Sequence, residues 1–358
     1  LGYRRCPRCG DGFPETSDYF YVRPGNGQAE YCLEGTGNGC HERYWRAVAD
    51  RRREQQRIAR DAYHARMRVP AEARRAQVRA RRVRAVTAGL TLRDPRFSTE
   101  GRRFGVEIET GSTDRNAIVA ALRAEGLAAT MSHETRQGHW YVKMEHCGSE
   151  LVSPPVSGED GREQVRRACH ALRTAGAMVN HACGLHVHHE VDGLSLDQFK
   201  RLFGLWHDYH GLIQQLVSPS RRSSSWCVPI TREYVNTINA IQELTAEGVR
   251  RGINRGACYE RYHSINVRAY PVHGTVEIRL HQGTHDANKI IAWTEFVQAL
   301  IVAAGDPSSL SPPELMPDVH ALLVELTSYG LSREQSAYLS RRAETLARGS
   351  RPRVPATA

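Results

Sequence analysis

Three short stretches restrict this chain more than anything else in it, because each alternates ionisable and aliphatic residues with the two-residue period of a strand. In the first, Phe104, Val106 and Ile108 alternate with Glu107 and Glu109, giving one aliphatic face and one face with both carboxylates. In the second, Leu185 and Val187 alternate with His186 and His188. In the third, Val276, Ile278 and Leu280 alternate with Glu277, Arg279 and His281, which the period places together.

A strand with one face in water ordinarily carries Lys, Thr or Ser there. Carboxylates crowded on one sheet face repel, and a buried charge without a partner costs several kcal/mol. A divalent cation resolves that conflict. Magnesium prefers carboxylate oxygens and tolerates imidazole, with manganese the alternative. Arg279 then remains free to hold phosphate oxygens. A fourth segment runs from Trp140 to Glu145 and on through Gly148, Ser149, Glu150, Leu151, Val152, Ser153, Pro154 and Pro155. It puts Glu150 at what reads as a strand edge, just before two prolines that end pairing.

Taken in order, these elements resemble the amidoligase family related to glutamine synthetases and the wider carboxylate-amine ligases. The resemblance rests on Phe104 to Glu109, Glu150 to Pro155, Cys183 to His188, and Thr275 to Arg279 with Gly283 and Thr284 following, and covers roughly residues 103–304. It implies an α+β fold in which a curved antiparallel sheet with flanking helices holds metal-bound ATP. By motif position, Glu107 and Glu109 look like paired magnesium ligands, Glu150 like the third carboxylate, and His186 like the imidazole ligand. His188 looks like its neighbour toward the nucleotide phosphate, Glu277 like the last carboxylate ligand, and Arg279 like the phosphate-binding arginine. Glu277, Arg279 and Glu150 are then the expected catalytic group. The implied reaction is phosphorylation of a carboxylate by ATP, then attack of an amine on the acyl phosphate. The carboxylate and amine belong to small molecules or peptides.

The chain departs from that family between the tryptophan and the Glu-Leu-Val-Ser element. Where an Asp-x-Ser is usual, it reads Lys143, Met144, Glu145, His146, Cys147, so either Glu145 replaces the aspartate or the substrate preference has changed. Tyr262 to Asn266 resembles a polar strand of related ligases. That makes Asn266 and Arg261 candidates for nucleotide or substrate contact, or else turn and edge residues. His170, His207 and His210 sit in helical patterns and read as core or surface histidines. Cys169, Cys183, Cys227 and Cys258 read as buried thiols without a base to activate them.

Ahead of this domain the composition changes. Cys6 and Cys9, then Cys32 and Cys40, are spaced to close a tetrahedron around structural zinc in a module of residues 1–42. The gap between the second pair is long, Gly35, Gly37 and Gly39 lie within it, and His41 is an alternative to Cys40. Residues 43–92 are rich in Arg, Ala, Glu and Gln and read as a basic helical arm broken near Pro70. Much of the formal net charge of +10 falls there, which suits nucleic acid or an acidic protein as partner, or a solvated helix face. The catalytic domain spans 93–348, and 349–358 reads as a disordered tail.

The chain opens on Leu1 rather than Met, which leaves room for an upstream piece. No apolar run is long enough to cross a bilayer and no signal-like segment is present, so the expected compartment is the cytoplasm, with no membrane partner. Two other function classes remain open on the sequence. One is a hydrolase with zinc-bound water held by His186 and His188. The other is a non-catalytic nucleic-acid adaptor built on the zinc module and arm.

Overall fold

The computed structural model describes residues 101–111, 113–131, 138–254 and 257–349, together with the backbone of four short N-terminal strands. The chain divides into two units, residues 1–68 and 69–358. In the first, β1 (Tyr3–Arg5) pairs antiparallel with β2 (Gly12–Pro14), and β3 (Phe20–Val22) with β4 (Ala29–Cys32). Of the expected zinc ligands only the backbone of Cys32, at the end of β4, is described. Cys6, Cys9, Cys40 and His41, the arm and the tail beyond Gly349 lie outside the described residues.

The second unit is built on β5 (Phe104–Thr110), β6 (Ala129–Thr130), β7 (Trp140–Glu145), β8 (Gly148–Val152), β9 (Gly184–Glu190), β10 (Ile265–Asn266) and β11 (Thr275–Gln282). They form one seven-stranded sheet in the order β10-β11-β9-β5-β8-β7-β6. Helices α1 (Arg115–Ala124), α2 (Gly158–Thr174), α3 (Leu196–Asp208), α4 (Arg232–Asn239), α5 (Ala246–Ile253), α6 (Ala287–Ala303), α7 (Val319–Leu326) and α8 (Arg333–Gly349) flank it. The α+β class agrees with the sequence, but the sheet is mixed: β6 pairs parallel with β7. The chain reaches β6 from β5 through α1, and a helical crossover returns a strand in the direction it left.

The aliphatic residues of the alternating segments make the core. Val106, Ile108, Val142, Leu151, Leu185, Val187, Val276 and Ile278 are all fully buried. Helices cover this face. Trp140 Nε1 donates to Gln164 of α2 at 3.3 Å, and the Trp293 ring of α6 lies 5.3 Å from His281. Helix α6 is apolar nearly all round, with Trp293, Phe296 and Leu300 fully buried, as befits a central helix.

Two expectations about strands change here. Strand β8 ends at Val152 because Pro154 and Pro155 lack an N–H, and Ser153 prolongs its pairing with β5. Val106 N–H donates to Ser153 Oγ at 2.8 Å, while Ser153 N–H donates to the Val106 carbonyl at 2.9 Å. Glu150 is therefore an interior residue of a strand flanked by β5 and β7, not a strand-edge carboxylate. His281 does not share a face with Glu277 and Arg279. The β9–β11 register shifts between Ile278, opposite Val187, and His281, opposite Leu185, so two residues of β11 face one of β9. This bulge turns His281 to the aliphatic face.

Candidate active site

On the opposite face, the register brings the three polar segments together. Glu107 stands opposite His186, His188 opposite Glu277, and Glu109 opposite Glu150. His186 sits among four carboxylates. Its Nδ1 lies 3.2 Å from Glu107, 3.7 Å from Glu277 and 3.8 Å from Glu150, and its Nε2 lies 3.5 Å from Glu109. His188 Nε2 is 3.5 Å from Glu107, and its Nδ1 is 3.0 Å from Thr275 Oγ1. Among the described residues, two groups of donors are compact enough for one ion each: Glu107 with Glu150 and His186, and Glu107 with His188 and Glu277. Each group's ligand atoms lie within 4.8 Å of one another, and Glu107 belongs to both.

The electrostatics fit a cation site. Burial pushes the Glu107 carboxyl upward, but the imidazoles of His186 and His188 prevail and hold it well below the usual range. Glu150 goes the other way. Burial and the neighbouring Glu107 charge raise it to about 8, against the pull of Lys143. Burial likewise raises Glu277, yet the Arg279 guanidinium ion-paired to it brings it below the ordinary value. Hard oxygen donors with a minority of imidazole form the donor set of magnesium or manganese.

The remaining residues expected from the sequence fall in two places. Asn266 is buried and donates from Nδ2 to Glu277 Oε2 at 2.7 Å, so it fixes a ligand carboxylate. Arg261 is exposed and lies over the Tyr262 ring, outside the donor cluster. Glu145 is on the same face of β7 as Lys143.

Two residues were missed. Lys143 is ion-paired with Glu150, its cross-strand partner, and its signal was the alternation of Tyr141, Lys143 and Glu145. Arg221, in the helical turn Pro219–Arg222, is buried with Nε unpartnered, while another of its nitrogens donates to the Arg279 carbonyl at 2.7 Å. A Cβ on Gly184 would stand 3.4 Å from this guanidinium, 3.0 Å from His186 Nε2 and 3.3 Å from Glu109 Oε2. Nothing local in the sequence marks Arg221.

Residues 128–301 match the family described as "Putative amidoligase enzyme". The match supports a carboxylate-amine ligase, and it takes in Glu150, His186, His188, Glu277 and Arg279. No curated protein matches. Among solved structures the chain is similar to the complex between prokaryotic ubiquitin-like protein Pup and its ligase PafA. The identity is 11% over 72% of this chain and 66% of that one, with a TM-score of 0.34. It is also similar to a structure described as a novel glutamine synthase homolog, at 14% identity over 70% of this chain and 67% of that one, with a TM-score of 0.33.

Proposed function

We propose that residues 93–348 form an ATP-dependent amidoligase. A substrate carboxylate attacks the terminal phosphorus of ATP, releasing ADP and leaving an acyl phosphate. An amine then attacks the acyl carbon, loses a proton and expels phosphate, which leaves the amide. The observation that carries this reading is the convergence on one sheet face of four carboxylates, two imidazoles and an arginine held against Glu277.

Glu107, Glu150 and His186 would hold one divalent cation, and Glu107, His188 and Glu277 a second, with Glu109 beside His186. Bound there, magnesium or manganese supplies positive charge against the oxygens of a transferring phosphoryl group. Arg279, beside Glu277, would take the same oxygens, and Arg221 offers a second buried guanidinium close by. Asn266 keeps the Glu277 carboxylate oriented. The zinc module on Cys6, Cys9, Cys32 and either Cys40 or His41 belongs to the same proposal as a separate folding unit. The basic arm belongs to it as a docking element for an acidic partner.

The test is ATP turnover with magnesium over a pool of carboxylates and amines, comparing the wild type with Glu277→Gln. Amine-dependent release of ADP and phosphate that the substitution abolishes is the expected result. Cleavage of amides without ATP would instead favour a metal hydrolase, and failure to bind magnesium and nucleotide would end the ligase reading.

A further inference from the structure

Arg279 leads away from the carboxylates to an aromatic shelf. Its Nε donates to the Trp226 carbonyl at 3.4 Å, and its guanidinium lies 5.8 Å from the centre of the Tyr262 ring. Tyr262 in turn meets the Trp226 ring at 5.1 Å, nearly perpendicular, and carries Arg261 over it at 5.3 Å. From the β7–β8 turn, His146 comes to 6.0 Å from Trp226. Trp226 is 47% exposed, whereas Trp140, Trp206 and Trp293 are buried in the core. The half-exposed Trp226 ring, grouped with Tyr262 and His146, offers an open aromatic surface next to the segment that holds Arg279.

We propose that Trp226 and Tyr262 form the subsite for the base of the nucleotide. This rests on the ligase reading. Arg279, paired with Glu277, then stands at the phosphate end, and the adjoining Tyr262 and Trp226 rings stand at the base end. Arg261, exposed above the same tyrosine ring, supplies a second positive charge along that path. Stacking on an aromatic face recognises a base without hydrogen-bond readout, so the subsite requires a base and discriminates weakly between bases.

The experiment compares magnesium–ADP with magnesium–pyrophosphate, which has the phosphates but no base, by titration calorimetry and tryptophan fluorescence on the full chain. The expected result is that ADP quenches a component of the fluorescence that Trp226→Phe removes. Trp226→Ala weakens ADP roughly tenfold or more, the scale of base–aromatic stacking. Trp226→Phe stays near wild type in affinity, and pyrophosphate binds all three proteins alike. Equal loss of ADP and pyrophosphate in Trp226→Ala, or no loss of either, overturns the subsite and leaves the ligase standing. If the wild type binds neither compound, both readings fall together.

Discussion

His188 and His189 are neighbours in the chain and sit in different chemical worlds. His188 points to the carboxylate face, where burial lowers its pKa but Glu107 outweighs burial and the net shift is upward. His189 points to the helix face, opposite Phe104 and Val276, with both ring nitrogens unpartnered, and burial drives it down to about 3. His281, moved to that face by the bulge, is held at about 3 for the same reason. One residue type thus serves as a charge partner on one side of the sheet and as a neutral filler on the other. Composition alone does not assign a role to a histidine; the face does.

The comparison predicts that the two faces respond to different insults. The largest effect is on the helix face. Ile108→Ala, between Glu107 and Glu109 but fully buried, should cost about 2–5 kcal/mol in urea unfolding. Manganese affinity should stay within a few-fold in the protein that remains folded, and a large loss of affinity would blur the distinction.

Next in size is the response to pH of the protein freed of divalent ions. His189 and His281 have depressed folded pKa values, so below pH ~6.5 the unfolded chain binds protons that the folded one refuses. Stability falls as pH falls, by up to about 2.7 kcal/mol per pH unit for the pair. Glu150 has the opposite sign. Its folded pKa of about 8 exceeds the unfolded value, so it lowers stability as pH rises from about 4.5 toward 8. From these groups, stability should peak near pH ~6.5, and His189→Leu should flatten the acid limb alone. An unchanged acid limb in that variant would break the assignment.

On the carboxylate face, Glu107→Gln removes the donor common to both groups. It should weaken manganese binding by more than about 100-fold, beyond the usual effect of an outer-shell partner. Unfolding without metal should be easier near neutral pH, because the substitution removes the charge partner of His186 and His188, whose pull on Glu107 outweighs its repulsion with Glu150. The smallest effect is Gly184→Ala, whose Cβ would press on His186 Nε2. About 3- to 10-fold weaker manganese binding is expected, with little change in stability.

Much of this was legible because alternation is a local property. The faces of β5 and β9 follow from Glu107, Glu109, His186 and His188 alone, and so does most of the donor set. What escaped depends on partners distant in sequence. The bulge that moves His281 is a matter of register between β9 and β11, and no single strand encodes it. The Lys143–Glu150 pair arises only once β7 lies beside β8, and Arg221 arrives from a helical turn 58 residues before the carbonyl it meets. Glu150 read as an edge residue because the prolines were visible in the sequence, while the Ser153 contacts that continue the pairing were not.

The membership of Glu107 in both donor groups has a thermodynamic consequence. Two ions that draw on one carboxylate cannot bind independently, so whatever factor the first imposes on the second is returned in equal measure. If nucleotide phosphates brought one of the ions, filling the other position beforehand would alter nucleotide affinity by that same factor. Metal concentration would then act on this protein as an allosteric effector, through a single side chain.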